Sequence, residues 1–333
     1  MKILITGCAG FIGYHLTSSL LSKKNKIYGI DNMNNYYSVK LKKDRLKDIE
    51  NKAKNNKFFF KFKKIDISNF KKLNIFFQKN KFDVVVNLAA QAGIRFSIKK
   101  PSQYLKSNLV GFFNLIDLSK NYKIKNFIYA STSSVYGMKN KMPFKENINT
   151  DSPLQFYAAT KKSNEVIAHS YSSLFNLPTI GLRFFTVYGP WGRPDMAYFK
   201  FTKKIINREF IQVYNHGKHS RDFTYIDDVV DSLKIIIKKG FLNKNRKKGN
   251  VPYLIYNLGN NLPLKLKNLI KYLETYLKIK SKKRYLSLQD GDVLDTRSNS
   301  KKIIKDYNLK FKIKPKKGLE NFVKWFKKYH KIK

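Results

Sequence analysis

The first thirteen residues constrain the fold more than any other stretch. Lys2-Ile3-Leu4-Ile5-Thr6 is an apolar run of strand length, and it enters Gly7-Cys8-Ala9-Gly10-Phe11-Ile12-Gly13 ahead of an apolar stripe of Leu16, Leu20 and Leu21. The pattern is a strand, a Gly-x-x-Gly-x-x-Gly turn and a helix. Glycines so spaced let backbone N–H groups approach a pyrophosphate at the helix N-terminus, where the helix dipole favours negative charge. Lone glycine patterns carry little weight, but this one has the strand-turn-helix context it needs. A second strand over 26–30 ends at Asp31, followed by Asn32. A carboxylate there accepts hydrogen bonds from both adenosine ribose hydroxyls and repels a 2′-phosphate, so the expected dinucleotide is NAD rather than NADP.

The strand-helix rhythm continues. Residues 58–64 read as a third strand, with Asp66 and Ile67 at its end where an adenine would be held. Residues 83–87 read as a fourth, followed by Leu88-Ala89-Ala90, small enough for a cofactor to pass close to the backbone. An apolar stripe of Leu105, Leu109, Phe112, Phe113 and Ile116 predicts a helix over 103–120. A fifth strand over 127–130 delivers Ser131-Thr132-Ser133-Ser134 at the carboxyl edge of a parallel sheet, where ligands bind. A sixth strand spans 177–185. Beyond it the rhythm breaks into a Gly-, Pro- and aromatic-rich loop, Thr186 through Pro194. A short strand is expected over 253–258 and helices over 264–277 and 316–329. The fold expected is α/β: a Rossmann-like, doubly wound parallel sheet over 1–185, with a smaller α/β substrate lobe over 186–333 interleaved with it. Asp227-Asp228 is expected to cap a helix beginning at Val229.

Tyr157 and Lys161 stand four residues apart, a spacing that puts both side chains on one face of a helix. A phenol is a poor base at neutral pH, and a nearby ammonium lowers its pKa by favouring the phenolate. Thr132, at the end of the fifth strand, falls beside the cofactor and can hydrogen-bond the oxygen that Tyr157 deprotonates. Cys8 is the only cysteine, so an intrachain disulfide and a cysteine-rich metal site are excluded; the five histidines show no metal-ligand spacing. The charge is unusual: 68 Lys plus Arg against 22 acidic residues, a net +46. Only nine of the basic residues are Arg, the lysines are scattered, and no nucleic-acid-binding motif accompanies them. Compositional bias explains this better than specific nucleic-acid binding. No apolar run reaches the length of a membrane span, and the chain enters a strand with no targeting pattern, so a cytoplasmic protein is expected.

Gly7, Gly10, Gly13, the hydroxyl run, Tyr157 and Lys161 together resemble the extended short-chain dehydrogenase/reductase family that acts on nucleotide sugars. The resemblance runs from Met1 to about Tyr329. Three stretches are similar to its UDP-glucuronate 4-epimerase branch: Ile30-Asp31-Asn32-Met33-Asn34-Asn35-Tyr36-Tyr37, Gln91-Ala92-Gly93-Ile94-Arg95-Phe96-Ser97, and Arg183 through Ala197. One departure is Asn87, where the family often has His. The resemblance implies an isomerase: a 4-epimerase that interconverts UDP-glucuronate and UDP-galacturonate with tightly held NAD and feeds polysaccharide synthesis. It implies Tyr157 as base, Thr132 as its hydroxyl partner, and Lys161 on the nicotinamide ribose. Relatives that eliminate water or decarboxylate carry acidic residues where this chain has Ser133 and Ser134, which argues for epimerisation alone. Arg193 is then the best guanidinium for the sugar carboxylate, with Thr186, Ser133 and Ser134 as further donors. Phe199 and Tyr214 are implied in a uracil pocket, Arg221 at the diphosphate and Asp292 at the uridine ribose. Family members commonly pair the helices over 103–120 and 157–175 into a four-helix bundle, so a homodimer is expected. The alternatives are a 4-epimerase of a neutral or N-acetylated UDP-hexose and a non-catalytic nucleotide-sugar or nucleic-acid binder.

Overall fold

The computed structural model describes residues 1–138, 141–242, 250–288 and 293–332. In chain order its strands are β1 (Lys2–Thr6), β2 (Lys26–Asp31), β3 (Phe59–Lys64), β4 (Val84–Asn87), β5 (Asn126–Thr132) and β6 (Thr179–Phe184). They continue as β7 (Thr186–Tyr188), β8 (Phe210–Tyr214), β9 (Ser220–Tyr225), β10 (Tyr253–Leu258), β11 (Pro263–Lys265) and β12 (Lys282–Leu286). Seven of them form one sheet in the order β10-β6-β5-β4-β1-β2-β3, every pair parallel. The order reverses between β1 and β4, and that crevice is where an open α/β sheet binds its ligands.

Alternation along β1 explains why both faces are covered. Ile3 and Ile5 belong to one apolar cluster and Leu4 to a second on the opposite face, all fully buried. A strand buried on both sides must be apolar at every position, as β1 and β4 (Val84–Asn87) nearly are. Inside the sheet the polar exceptions are Thr6 and Asn87, and they satisfy each other. The Asn87 side-chain oxygen accepts a hydrogen bond from the Thr6 hydroxyl at 2.7 Å.

β10 returns from far along the chain to pair with β6, Tyr253 opposite Thr179. The cluster containing Ile3 and Ile5 is continuous through Tyr188 and Phe223 to Phe322 and Phe326 of the Pro315–Tyr329 helix. There are two smaller sheets, β11-β9-β7 and β12-β8, whose strands β7 and β8 supply Thr186, Val187, Gln212 and Tyr214 to a cleft.

Two elements depart from expectation. The stretch over 103–120 is not one helix: a short helix, Pro101–Tyr104, passes through a π-helical segment, Leu105–Val110, into the Gly111–Asn121 helix. The wider turn moves the stripe off a single face, so Phe112 and Ile116 are buried while Leu105 and Phe113 are exposed. The helix of the Asp227-Asp228 pair is Ile226–Lys239, with both acids inside its first turn and no side-chain cap. Asp228 instead accepts the backbone N–H groups of Lys312 and Ile313, both at 3.0 Å, and ties in a distant segment.

Candidate active site

A cleft of about 630 Å³ opens along the carboxyl edge of the large sheet. At one end the β1 turn closes on itself, with Gly10 N–H donating to the Gly7 carbonyl at 2.9 Å. A Cβ at Gly13 would come within 2.1 Å of that same carbonyl oxygen, so only glycine packs there. The Phe11–Leu20 helix starts at this turn without a side-chain cap. Its first-turn N–H groups and positive dipole end are therefore left for an anion. Gly7, Gly10, Phe11, Ile12, Gly13, Asp31, Asn32 and Ala89 all line the cleft. Burial raises the carboxyl pKa of Asp31, against the opposing charge of Lys42, which also lines the cleft. These residues fit a dinucleotide: an uncapped helix N-terminus for its pyrophosphate, and a carboxylate beyond the second strand for a ribose. Ile67 lines the cleft as expected, together with Ile65, but Asp66 does not. The Asp66 carboxylate accepts from Ser68 N–H at 2.9 Å, the Ser68 hydroxyl at 2.7 Å and Asn32 Nδ2 at 3.2 Å, so it shapes the wall from behind.

At mid-cleft, β5 ends at Thr132, whose hydroxyl caps the Ser133–Tyr136 turn by accepting from Ser134 N–H at 3.2 Å. The Phe156–Phe175 helix brings Tyr157 and Lys161 to the same place. Burial raises the Tyr157 phenol; the Arg193 charge and a hydrogen bond from Thr132 pull it back. In this geometry the Arg193 charge favours the phenolate, and Lys161 stands four residues further along the same helix. Lys161 is 2 % exposed, and its ammonium pKa responds to that burial. Burial pushes it down to about 8, opposed by Glu165 one turn further along the helix. Glu165 is itself buried in a bidentate pair with Arg183, at 2.9 and 2.8 Å, and accepts from the Ser131 hydroxyl at 2.5 Å.

Asn108 is a residue that the sequence reading passed over. From the π-helical turn its side chain accepts from Gln91 N–H at 2.7 Å and donates to the Gln91 carbonyl at 3.0 Å and Thr160 Oγ1 at 3.1 Å. It thereby fixes the loop after β4 against the Tyr157 helix. The signal was an amide inside an otherwise apolar helical stripe.

At the far end Ser133, Ser134, Thr186, Arg193 and Tyr214 line the cleft as expected. Arg193 arrives already paired: its Nε and one terminal nitrogen donate to the two Asp195 oxygens at 3.0 and 2.5 Å. Its loop is held from behind by Arg45, a fully buried residue that donates to the carbonyls of Ala9 (2.9 Å), Trp191 (2.5 Å) and Gly192 (3.3 Å) and to the Tyr37 hydroxyl (2.8 Å). Trp191 sits at φ 58°, a region that bulky side chains rarely adopt. The other implied sugar-nucleotide residues fare differently. Phe199 is a core residue and not a cleft residue, packed against Phe322 and Phe326; on its helix, Ala197–Ile206, it is Lys200, Phe201 and Lys204 that face the cleft. Arg221 does not line the cleft, because its guanidinium is engaged by the backbone carbonyls of Ser220, Val293 and Leu294. Arg95 does line it, its guanidinium 5.1 Å from the centre of the Tyr214 ring. Asp292 lies outside the described residues.

Comparison with known proteins agrees with this geometry. A family model described as the NAD dependent epimerase/dehydratase family matches residues 3–259. Protein CapI of Staphylococcus aureus is 48% identical over 99% of this chain and 100% of its own length. UDP-glucuronate 4-epimerase 2 of Arabidopsis thaliana is 40% identical over 99% of this chain and 77% of its own. A crystal structure of UDP-glucuronic acid 4-epimerase from Bacillus cereus, in complex with UDP-glucuronic acid and NAD, superposes with a TM-score of 0.88 at 31% identity, covering 99% of this chain and 100% of that one. The glycine turn, the Tyr157 helix and the whole-length match converge on one conclusion: this chain belongs to the NAD-dependent epimerase/dehydratase family.

Proposed function

We propose that this chain is an NAD-dependent 4-epimerase that interconverts UDP-glucuronate and UDP-galacturonate. The observation that carries the reading is the composition of the cleft around Tyr157. Thr132 is at hand for the phenol, hydroxyls stand at Ser133, Ser134 and Thr186, and Arg193 stands with them in the same lining. The relatives named above support it, two of them being UDP-glucuronate 4-epimerases.

Bound NAD supplies what no side chain can, a reversible hydride acceptor, so that no net redox change results. Tyr157 takes the proton of the C4 hydroxyl and returns it after the 4-keto sugar has turned over in the cleft. Thr132 holds that oxygen in line with the phenol, and Lys161 holds the nicotinamide ribose. A 4-keto uronate is a β-keto acid and loses CO₂ readily. With serines at 133 and 134 the site lacks a second acid there, and Arg193 with the neighbouring hydroxyls holds the carboxylate out of alignment for cleavage. Arg95, Lys200 and Lys204 are the cleft-lining cations for a diphosphate, in the place that the sequence reading gave to Arg221.

A homodimer fits the surface. Leu105, Val110 and Phe113 are exposed on the helical segments beside the Tyr157 helix, and Val166, Leu174 and Phe175 are exposed on that helix itself. An apolar surface shared between two packed helices is what an isologous pair covers. No helix among the described residues is long and apolar enough to cross a membrane; a cytoplasmic location is part of the proposal.

The test is incubation of the purified protein with UDP-glucuronate, UDP-glucose and UDP-N-acetylglucosamine, with chromatographic separation of the products. Conversion of UDP-glucuronate to UDP-galacturonate alone is expected. Preferential turnover of a neutral sugar, or release of a UDP-pentose, overturns the assignment.

A further inference from the structure

The three stretches that carry the resemblance are far apart in sequence, yet they meet at one carboxylate. Tyr36, from the first, donates its hydroxyl hydrogen to Asp195 Oδ2 at 3.1 Å. Gly93, from the second, sits under that hydroxyl at φ 102°: a Cβ there would come within 2.1 Å of the Tyr36 oxygen. Phe96, from the same stretch, packs against the Tyr36 ring at 4.9 Å. Asp195 and Arg193 come from the third. Tyr104 anchors the second stretch by donating to the Ala92 carbonyl at 3.0 Å, and its ring meets that of Tyr157 edge-on at 6.1 Å.

A guanidinium has two useful bidentate edges, one formed by Nε and a terminal nitrogen, the other by both terminal nitrogens. Asp195 takes the first. Two parallel charge-assisted bonds fix the guanidinium plane as well as its position. Both residues line the cleft and are about three-quarters buried, with side-chain exposures of 23% and 24%. Asp195 is held ionised there: burial pushes its carboxyl up, but Arg193 and Tyr36 outweigh that and bring it below the usual range.

We propose that Asp195, held by Tyr36 over Gly93, is a positioning residue that presents the outer edge of Arg193 to the sugar carboxylate. The inference rests on the uronate reading above. A second carboxylate approaching Arg193 is welcome only on the edge away from Asp195; elsewhere it meets a like charge. One direction of approach is left, and it fixes how the carboxylate lies relative to C4 during the keto stage. The geometry also accounts for why Arg193 does not simply grip an anion on its own. An unbraced side chain with this many rotamers would lose much of that directionality to entropy.

The experiment compares wild type with Asp195→Asn and Tyr36→Phe, measuring KM and kcat for UDP-glucuronate, the inhibition constant of UDP, and bound NAD per subunit. UDP lacks the carboxylate, so it reports the nucleotide site alone. Asp195→Asn keeps the shape but removes a charged acceptor, and should raise KM for UDP-glucuronate about tenfold or more. The UDP constant and NAD content should stay within twofold. Tyr36→Phe, the milder change, should raise KM about threefold in the same selective way. An unchanged KM in Asp195→Asn overturns the proposal, and so does a parallel rise in KM and the UDP constant, which is the mark of a merely structural role. Wild type that leaves UDP-glucuronate untouched overturns the functional reading along with it; wild-type turnover with an unaffected Asp195→Asn overturns this proposal alone.

Discussion

The two ends of the cleft are built by different means. The dinucleotide end is backbone: a turn whose carbonyls and N–H groups are set by glycines three residues apart, on a helix with no cap of its own. The sugar end is side chain: Arg193 braced by Asp195, Asp195 by Tyr36 across 159 residues of sequence, and the loop by buried Arg45. Backbone sites are written in local spacing and tolerate little substitution. Side-chain sites are assembled by the fold and can be retuned one residue at a time, which is how one scaffold serves several sugars.

Substitutions at the two ends and at their meeting point sharpen that contrast. The largest effect belongs to Tyr157, where both ends converge. Tyr157→Phe should cut turnover by about three orders of magnitude, as loss of a general base does, while NAD stays bound. Near-normal kcat would remove the phenol from the chemistry. Gly13→Ala comes next, because its Cβ meets the Gly7 carbonyl oxygen at 2.1 Å and backbone cannot step aside as a side chain can. It should cost about 1–3 kcal/mol of stability and most of the bound NAD; full retention of both, by calorimetry and by cofactor assay, would show the turn to be more pliable than its contacts indicate.

At Lys161 the effect on stability has the opposite sign. Its folded-state pKa, about 8, lies below the ordinary lysine value of 10.5 because burial disfavours the charge. The unfolded chain therefore binds more protons between those pH values, and stability should rise with pH across that window. Below it, the buried ammonium costs about 3 kcal/mol. Lys161→Met should accordingly melt a few degrees higher than wild type at pH 7, with the gap closing towards pH 10.5, and should be nearly inactive. A lower melting temperature at pH 7 would mean that the ammonium is better solvated than its surroundings imply.

Legibility followed the same division. β1, the glycine turn, Asp31 and the Tyr157–Lys161 pair are local patterns, and the structure has them where their spacing puts them. Phe199, placed in a uracil pocket by the resemblance, packs into the core here because of helix phase, which is invisible without knowing which face is covered, while Lys200 and Phe201 line the cleft. The role of Asn108 was hidden by the π-helical turn that carries it, since a straight helix would place it elsewhere. The partner of Arg193 stands two residues away, yet nothing local says that Tyr36 and Gly93 complete the set. Arg221, placed at the diphosphate by the resemblance, has main-chain carbonyls as partners, which a sequence does not display.

The large sheet ends at β3, whose outer edge no strand of the sheet pairs. An open edge of this kind invites a neighbouring molecule to add its own strand, the first step towards fibrils or amorphous precipitate. The strand reads Phe-Phe-Lys-Phe-Lys-Lys, with Phe60 and Phe62 turned partly inward and Lys61, Lys63 and Lys64 exposed. Two such edges brought together would stack ammonium groups against each other with nothing to neutralise them. The lysine excess, which compositional bias explains better than nucleic-acid binding, thus gives this edge a like-charge repulsion that should weaken in concentrated salt, where it is screened.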